Sequence, residues 1–491
     1  TGISQRGTLN ISPDDFNPEK IQLDPGREFR DPANFSLPDV DVGATFGNVT
    51  GVVGYDFGNF QVQPDGPIRA TPGSLAPEVS KLFRGTTVLS VASYNVLNLD
   101  PNDTDGDTDV ADGRFDAIAG QIVNALDAPD VLALQEIQDN SGSVDDGTVS
   151  ADLTLQALVD AIALAGGPTY AFIDNTFIVN NNSGGQPGAN IRTAFLYDPS
   201  RVTLVSGSVR TVSDVNAFAG ARLPLIATFE FNGESITIVN NHFSSKGGSA
   251  PIFGLEQPFE ARQEDVTVNG SLDERQAQSA EVRNFIDGVF AADPKANLVV
   301  LGDLNEFEFV SPVEVNLGAV LENLTLRVPA DERYTFNFQG NSQSLDHILV
   351  SSSLSGLTDF DIVRVNSEFA ETNTRASDHE PLLASFALGF QIPRCLGREA
   401  TVYVGESGDV VGGILNGYPY RGVLLGGFGD DVIAGTKGRD VLIGLAGDDL
   451  MCGGAGRDLL LGGRGHDQLD GGDGKDRCIG GPGRDREKRC R

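Results

Sequence analysis

Three of the four histidines stand beside an acid or an amide, each next to a short apolar run. His242 closes Val-Asn-Asn-His-Phe (239–243), His347 lies in Leu-Asp-His-Ile-Leu-Val (345–350), and His379 in Ser-Asp-His-Glu-Pro (377–381). An imidazole beside a carboxylate is suited to moving protons near neutral pH. Three further motifs follow apolar runs in the same way. Ser-Tyr-Asn-Val (93–96) follows Leu89–Ala92, Gln-Glu-Ile (135–137) follows Val131–Leu134, and Gly-Asp-Leu-Asn (302–305) follows Leu298–Leu301. The pattern predicts a set of strands, each ending in Asn, Asp, Glu or His. Such ends can converge on a metal ion and a phosphate.

The elements that must hold these residues are legible around them. From Thr87 to about Phe390, strand-like runs alternate with helical segments at 114–126 and 275–290, an α/β arrangement. Ala194–Tyr197 with Val202–Val205, and Ile226–Phe231 with Ser235–Val239, read as antiparallel hairpins. Before this region, Lys20–Leu23, Gly47–Val53 and Phe60–Gln63 read as short strands. The Pro- and Gly-rich stretch 64–78 reads as a linker.

A chain of 491 residues predicts two or three domains. The formal charge of −34 argues against a nucleic-acid binder that relies on a basic surface; it suits a carrier of many calcium ions. No apolar run approaches the roughly 18 residues of a membrane span, so no transmembrane segment is expected. No obligate protein partner is evident. The chain starts at Thr1 without a signal-like segment and reads as a mature or trimmed form.

From Gly426 the chain repeats every nine residues, beginning GGFGDDVIA, GTKGRDVLI, GLAGDDLMC. Asp recurs sixth, at Asp431, Asp440, Asp449, Asp458, Asp467 and Asp476, and again at Asp485. Large apolar residues recur eighth, at Ile433, Leu442, Met451, Leu460 and Leu469, then Cys478. Glu487 replaces the apolar residue in the last repeat, which suits a cap. The period matches the RTX nonapeptide. Aspartates and turn carbonyls offer hard oxygen ligands, so multiple Ca2+ ions are expected. Residues 395–425, Gly405–Val411 among them, look like degenerate versions of these turns. All four cysteines lie in this last fifth, and none has a CxxC spacing. Two disulfides are expected; Cys478 with Cys490 and Cys395 with Cys452 is the favoured pairing, with connectivity left open.

Taken in order, the motifs of 87–390 resemble the endonuclease/exonuclease/phosphatase superfamily, closest to secreted bacterial nucleases of that type. The resemblance implies a four-layer α/β sandwich of the deoxyribonuclease I-like type over 86–390. The expected flanks are a small β-rich domain with linker over 1–75, partly like an oligonucleotide-binding barrel, and a parallel β-roll over 395–491. It implies one active-site Mg2+, or Mn2+, held by Asn95, Glu136 and Asp378. It implies catalytic roles for His242 on the leaving-group side, for Asp303 and Asn305 at nucleophile and phosphate, and for His379 oriented by Asp346. His347 falls where related sequences carry Tyr, and no catalytic role is assigned to it.

Other residues carry weaker signals. Arg192, Lys246 and Asn241 are candidate substrate contacts, with a structural Arg and a solvated loop Lys as the alternatives for the first two. Asp103, Asp105, Asp107 and Asp109 resemble a calcium loop without the EF-hand spacing, against a solvated acidic loop. The insertion 247–274 reads as a flap near the site. The functional expectation is a secreted phosphodiesterase, an endonuclease with DNA, or RNA, as substrate. One alternative keeps the fold and changes the substrate to sphingomyelin or another phosphoester, which the absence of Trp and of a dense aromatic hairpin disfavours. Another is a non-enzymatic, calcium-dependent surface protein.

Overall fold

The computed structural model describes residues 2–17, 19–24, 37–56, 58–82, 84–251, 259–372, 375–388, 393–405 and 408–490. The chain divides into two compact units, Thr1–Leu82 with Leu89–Phe386, and Phe83–Val88 with Ala387–Arg491. No helix among the described residues is long and apolar enough to cross a membrane.

The first unit is built on two six-stranded sheets. Its strands are β1 (Val88–Leu99), β2 (Val131–Ile137), β3 (Ala171–Ile173), β4 (Arg192–Tyr197), β5 (Thr203–Leu204), β6 (Leu225–Phe231), β7 (Glu234–His242), β8 (Asn297–Asp303), β9 (Glu322–Asn323), β10 (Asp346–Val350), β11 (Thr358–Ile362) and β12 (Leu382–Ala387). One sheet runs β11-β12-β1-β2-β4-β3 and the other β5-β6-β7-β8-β10-β9. Helices α1 (Arg114–Asn124) and α2 (Asp152–Leu164) cover the first sheet. In α1 the buried residues Phe115, Ile118, Ala119 and Ile122 follow helical spacing and pack with Ala92, Tyr94, Leu132 and Leu134. Helix α3 (Leu272–Ala292) covers the second sheet, with Val282 and Ile286 against Val239, Val300 and Leu349. The sheets pack on each other through Phe195 and Phe229, whose ring centroids are 5.9 Å apart. Asn240 also crosses this interface, donating to the carbonyls of Leu134 (3.0 Å) and Ala194 (2.9 Å). The result is the four-layer α/β sandwich. Its central strands are covered on both faces, which is why they read as near-continuous apolar runs.

The hairpin expected at 226–239 forms, as β6 with β7. The one expected at 194–205 does not: β4 belongs to the first sheet, whereas β5 pairs with β6 in the second. The turn there is tight, with Ser200 donating to the Asp198 carboxylate and Arg201 to its carbonyl, but it carries the chain from one layer to the next. A short turn between apolar runs looks the same in sequence in both cases.

Residues 2–82 contain a three-stranded sheet of Gln22–Leu23, Asn59–Pro64 and Gly51–Asp56, and a pair, Thr45–Phe46 with Ala70–Thr71. Residues 9–11 and Lys20 lie along the hairpin Phe336–Phe338/Asn341–Gln343. Ile11 donates to the Ser342 carbonyl (3.0 Å), Ser342 donates to that of Leu9 (2.8 Å), and the Lys20 ammonium reaches the Gln339 carbonyl (2.7 Å). The linker-like stretch ends in an anchored residue, since Glu78 pairs with Arg6 and Arg364. The hairpin Gly51–Pro64 exposes Val52, Val53, Tyr55 and Phe60, an apolar and aromatic surface that the composition alone does not reveal.

In the second unit, two parallel sheets form a β-roll. One contains Val423–Leu425, Val441–Ala446, Leu459–Arg464 and Arg477–Ile479; the other Val432–Ala434, Leu450–Cys452, Gln468–Asp470 and Arg486–Lys488. Partners are 18 residues apart, so two nonapeptides make one coil: Leu442 pairs with Leu460, and Met451 with Leu469. The eighth-position residues Leu424, Ile433, Leu442, Met451, Leu460 and Leu469 fill the narrow core with Val402 and Val410. Cys395 is bonded to Cys452 and Cys478 to Cys490, with Cα–Cα distances of 5.4 and 5.6 Å.

Candidate active site

Strand register brings the predicted residues to one edge of the sandwich. In the second sheet, His242 lies opposite Asp303 across parallel strands, and Asp303 lies opposite Asp346 across antiparallel ones. Gly302 lets β7 and β8 approach here, because a Cβ would strike the Asn241 backbone. In the first sheet, the β1–β2 pairing shifts after Asn95, and the β2–β4 pairing after Leu134. Glu136 sits in that second irregularity with φ +62°, a left-handed conformation that a non-glycine residue adopts only when its surroundings hold it there.

The side chains then meet. Asn95 Nδ2 donates to Glu136 Oε1 (3.1 Å) and to Asp303 Oδ2 (3.2 Å). His242 Nε2 is 3.5 Å from Asp303 Oδ2 and 3.7 Å from Glu136 Oε1. His379 Nδ1 is 2.7 Å from Asp346 Oδ2, and its Nε2 is 3.9 Å from Asp303 Oδ2. Asp303 Oδ1 accepts the Asn305 N–H (2.9 Å), while the Asn305 side chain donates to the Phe243 carbonyl (3.2 Å). Ser377, just before the Asp378–His379 pair, donates to the Asn95 carbonyl (2.6 Å) and ties the approach to β12 onto β1. Glu380 accepts the N–H groups of Val365, Asn366 and Ser367 and fixes the loop beside His379.

The electrostatics divide the two histidines. Burial, reinforced by Arg222 and His379, holds His242 well below the usual histidine range, so it is neutral. Burial opposes charge on His379 as well, but the Asp346 and Asp303 carboxylates outweigh it and hold His379 well above that range, as imidazolium. Burial and the neighbouring Asp346 raise Asp303. Burial and the charge of Asp378 raise Glu136. One carboxylate, Asp303, thus stands between a neutral ring and a charged one.

The donor set suits a divalent cation. Asp378 Oδ1 is a buried acceptor without a hydrogen-bond partner among the described residues, and the Glu136 and Asp378 carboxylates repel each other. Asn95 contributes differently from a simple ligand. Its Oδ1 accepts the Leu97 N–H (3.0 Å), and its Nδ2 holds the carboxylates.

Other expected residues lie elsewhere. Arg192 is fully buried, donating to Asp174 (3.1 Å) and to the Asn190 carbonyl (3.1 Å). Lys246 is engaged by Glu306 and Asn269, both at 2.6 Å, and lies over the Phe307 ring; burial lowers it to about 8. Asn241 is buried, its Nδ2 donating to the carbonyls of Val239 and Leu301 at 3.0 Å each. His347 Nε2 donates to the Glu306 carbonyl (2.9 Å), its Nδ1 accepts from the Asn323 carboxamide (3.3 Å), and the ring joins no part of the cluster. In the flap region, residues 252–258 lie outside the described residues. The nearby Asn269 carboxamide is fixed on Glu306 (2.7 Å).

Two residues that sequence reading missed belong here. Arg222 is buried with its Nη2 on the Phe243 carbonyl, and its charge acts on Glu136, Asp303 and His242. Its setting, Gly-Ala-Arg-Leu-Pro, lies outside any strand run, so the strand-end rule could not find it. Phe336 packs against His379 with ring centroids 4.7 Å apart. The acidic loop differs from expectation too. Asp100, Asp105 and Asp107 come together, with Asp100 pushed up to about 7 by burial and by its acidic neighbours.

In the repeats, the aspartates form a ladder. Asp431, Asp440, Asp449, Asp458 and Asp467 each donate a backbone N–H to Oδ1 of the aspartate 18 residues later. The Oδ2 atoms of Asp449, Asp458, Asp467 and Asp476 are buried without partners among the described residues. Hard, unpartnered carboxylate oxygens of this kind suit Ca2+.

Three stretches of the chain match known families. A profile of the Endonuclease/Exonuclease/phosphatase family matches residues 92–379. That of the RTX calcium-binding nonapeptide repeat matches 425–460 and 453–487. A domain of unknown function, DUF8508, matches residues 1–72. No curated protein matches the chain. Similar solved structures include D. rerio TDP2 complexed with single strand DNA product, at 20% identity over 61% of this chain and 98% of that one, TM-score 0.39. The human Nocturnin catalytic domain with bound sulfate anion has 16% identity over 61% and 94%, TM-score 0.39. The Bacteroides thetaiotaomicron mannosyl-6-phosphatase has 17% identity over 60% and 98%, TM-score 0.38.

Proposed function

The chain belongs to the endonuclease/exonuclease/phosphatase family, and on that premise we propose that it is an extracellular, Mg2+-dependent nuclease that hydrolyses DNA phosphodiesters. The family makes it a hydrolase of phosphoester bonds, and the C-terminal repeats belong to a calcium-binding type. The observation that carries the finer reading is the pair of imidazoles, His242 and His379, that flank Asp303 at 3.5 and 3.9 Å. A diester needs a proton taken from the entering water and one given to the leaving oxygen, and a carboxylate set between two imidazoles offers both a base and an acid.

Glu136 and Asp378 would hold the Mg2+, a carboxylate count in keeping with that ion. When bound, it neutralises charge on the phosphate oxygens. Asp303, with its raised basicity, orients the attacking water and takes its proton, while Asn305 holds the adjacent loop. His379, held protonated by Asp346, gives its proton to the leaving oxygen, and the proton taken by Asp303, 3.9 Å away, restores it. His242 hydrogen-bonds the phosphate beside that oxygen, and buried Arg222 adds positive charge behind the site. Disulfides and calcium repeats both favour an oxidising, calcium-rich environment, which supports an extracellular setting.

A second reading, a lipid phosphoesterase, is favoured by the exposed Val52, Val53, Tyr55 and Phe60 of the 51–64 hairpin. The deciding experiment compares plasmid DNA, a single-stranded oligonucleotide, RNA and a sphingomyelin analogue at matched Mg2+ and Ca2+. DNA cleavage with little lipid turnover is expected; robust lipid turnover with intact DNA overturns the nuclease reading.

A further inference from the structure

The loop after β1 and the loop after β2 meet over three carboxylates. One oxygen from each of Asp100, Asp105 and Asp107 lies within 4.8 Å of the others. Ca2+ binds oxygen at about 2.3–2.6 Å, so ligands on opposite sides of one ion stand about 5 Å apart. Asp100 is fully buried, yet its Oδ2 has no hydrogen-bond partner among the described residues, and neither has the buried Oδ1 of Asp105. A buried carboxylate oxygen aimed at two other carboxylates is costly unless a cation faces it. Arg114 is spent elsewhere, on Asp109 and on the carbonyls of Val96 and Leu97.

The second loop closes the group from above. Ser143 donates its N–H to Asp105 Oδ2 (2.6 Å) and its hydroxyl to the Asp105 carbonyl (2.9 Å). Asn102 Nδ2 donates to the Ser141 carbonyl (2.8 Å). Gly142, at φ +62°, lies so close that a Cβ would collide with the carboxylates of Asp100 and Asp105. Of the four aspartates expected to bind calcium here, two serve the loop itself. Asp103 accepts the N–H groups of Val110 (2.9 Å) and Ala111 (3.0 Å), and Asp109 accepts that of Asp100 (3.1 Å) while pairing with Arg114.

We propose that Asp100, Asp105 and Asp107 bind a structural Ca2+ ion that fastens the loop following the Asn95 strand to the loop following the Glu136 strand. Three carboxylates on irregular loops suit Ca2+, whereas Mg2+ demands near-octahedral geometry and keeps most of its water. This site is separate from the repeats and from the catalytic metal.

Hydrogen exchange read by mass spectrometry on the full chain tests it, with chelator against added Ca2+. At calcium about ten times the dissociation constant, exchange in peptides covering 100–113 and 139–146 slows about tenfold. That response survives Glu136→Gln, which removes a ligand of the catalytic metal, and is lost in Asp105→Asn and in the exposed-site variant Asp107→Asn. Peptides covering the core strands 225–242 and 297–303 of the same unit keep their slow exchange in every variant and report that each remains folded. Unchanged exchange of 100–113 in the wild-type chain at millimolar Ca2+ overturns the proposal, as does an equal response in both Asn variants or its loss in Glu136→Gln.

Discussion

His379 and Asp346 are joined by a 2.7 Å hydrogen bond, Asp346 from the start of β10 and His379 from the segment that leads into β12 of the other sheet. The bond sets which ring nitrogen faces Asp303. His379→Ala, His242→Ala and Glu136→Ala each lower turnover by about 10²–10⁴-fold with the fold retained. Steady-state hydrolysis of plasmid DNA or of an activated phosphodiester measures this, and near-wild-type turnover in any variant removes that residue from the mechanism.

Asp346→Asn separates positioning from chemistry. Asp346 is a chief reason that His379 stays charged, so its loss lowers the pH at which His379 gives up its proton. The alkaline limb of the rate profile therefore moves to lower pH. A profile reduced in height without that displacement would show that Asp346 only fixes geometry.

Arg222 and Arg192 have opposite expected phenotypes. Arg222→Ala lowers turnover with little change in melting temperature beyond that of a buried hydrogen bond. Arg192→Ala strands Asp174 and costs about 3–5 kcal/mol of stability. Thermal melts alongside kinetics distinguish the two, and an Arg192 variant that melts normally but fails to turn over would restore it to the substrate site.

How far the sequence alone reaches is visible in this pair. Strand-end chemistry is local: an apolar run followed by Asp, Asn, Glu or His signals its own position, and His242, Asp303, Asp346 and His379 do converge. Burial is not local. Arg192 opens a strand and resembles an exposed cation, yet the loop bearing Asp174 covers it. Arg222 reaches the site from a segment without regular structure, and Asp100 looks like the polar end of a strand until the 141–143 loop folds over it. Layer assignment failed for the same reason at 194–205, where four residues of turn cannot say which sheet comes next.

In the repeats, burial and then the mutual repulsion of neighbouring aspartates push Asp449 and Asp458 up to about 6. The unfolded chain titrates near 3.9. Without calcium the folded roll therefore binds more protons, so the associated stability is present below about pH 4 and is lost as pH rises through about 6. In chelator, exchange of amides across 423–488 slows as pH falls from 7 to 4, after correction for intrinsic rates. In excess calcium that dependence vanishes. A chelated roll equally protected at both pH values contradicts this.

The two disulfides stabilise unequally. Their sequence separations of 57 and 12 correspond to about 4 and 3 kcal/mol of chain entropy. Alkylation before reduction labels no cysteine, and replacing the Cys395–Cys452 pair by Ser lowers stability more than replacing Cys478–Cys490. Labelling of either pair in the native protein contradicts the bonding.

Each coil of the roll supplies the oxygen that receives the N–H of the aspartate 18 residues earlier. Order there is thus a nearest-neighbour property, as in a growing one-dimensional crystal: the first coil is the costly nucleus and each later one adds at an existing face. Interrupting a middle rung, at Asp458 for instance, would leave two short stacks in place of one, each fraying from a new end. A change at the last rung would shorten the stack by a single coil.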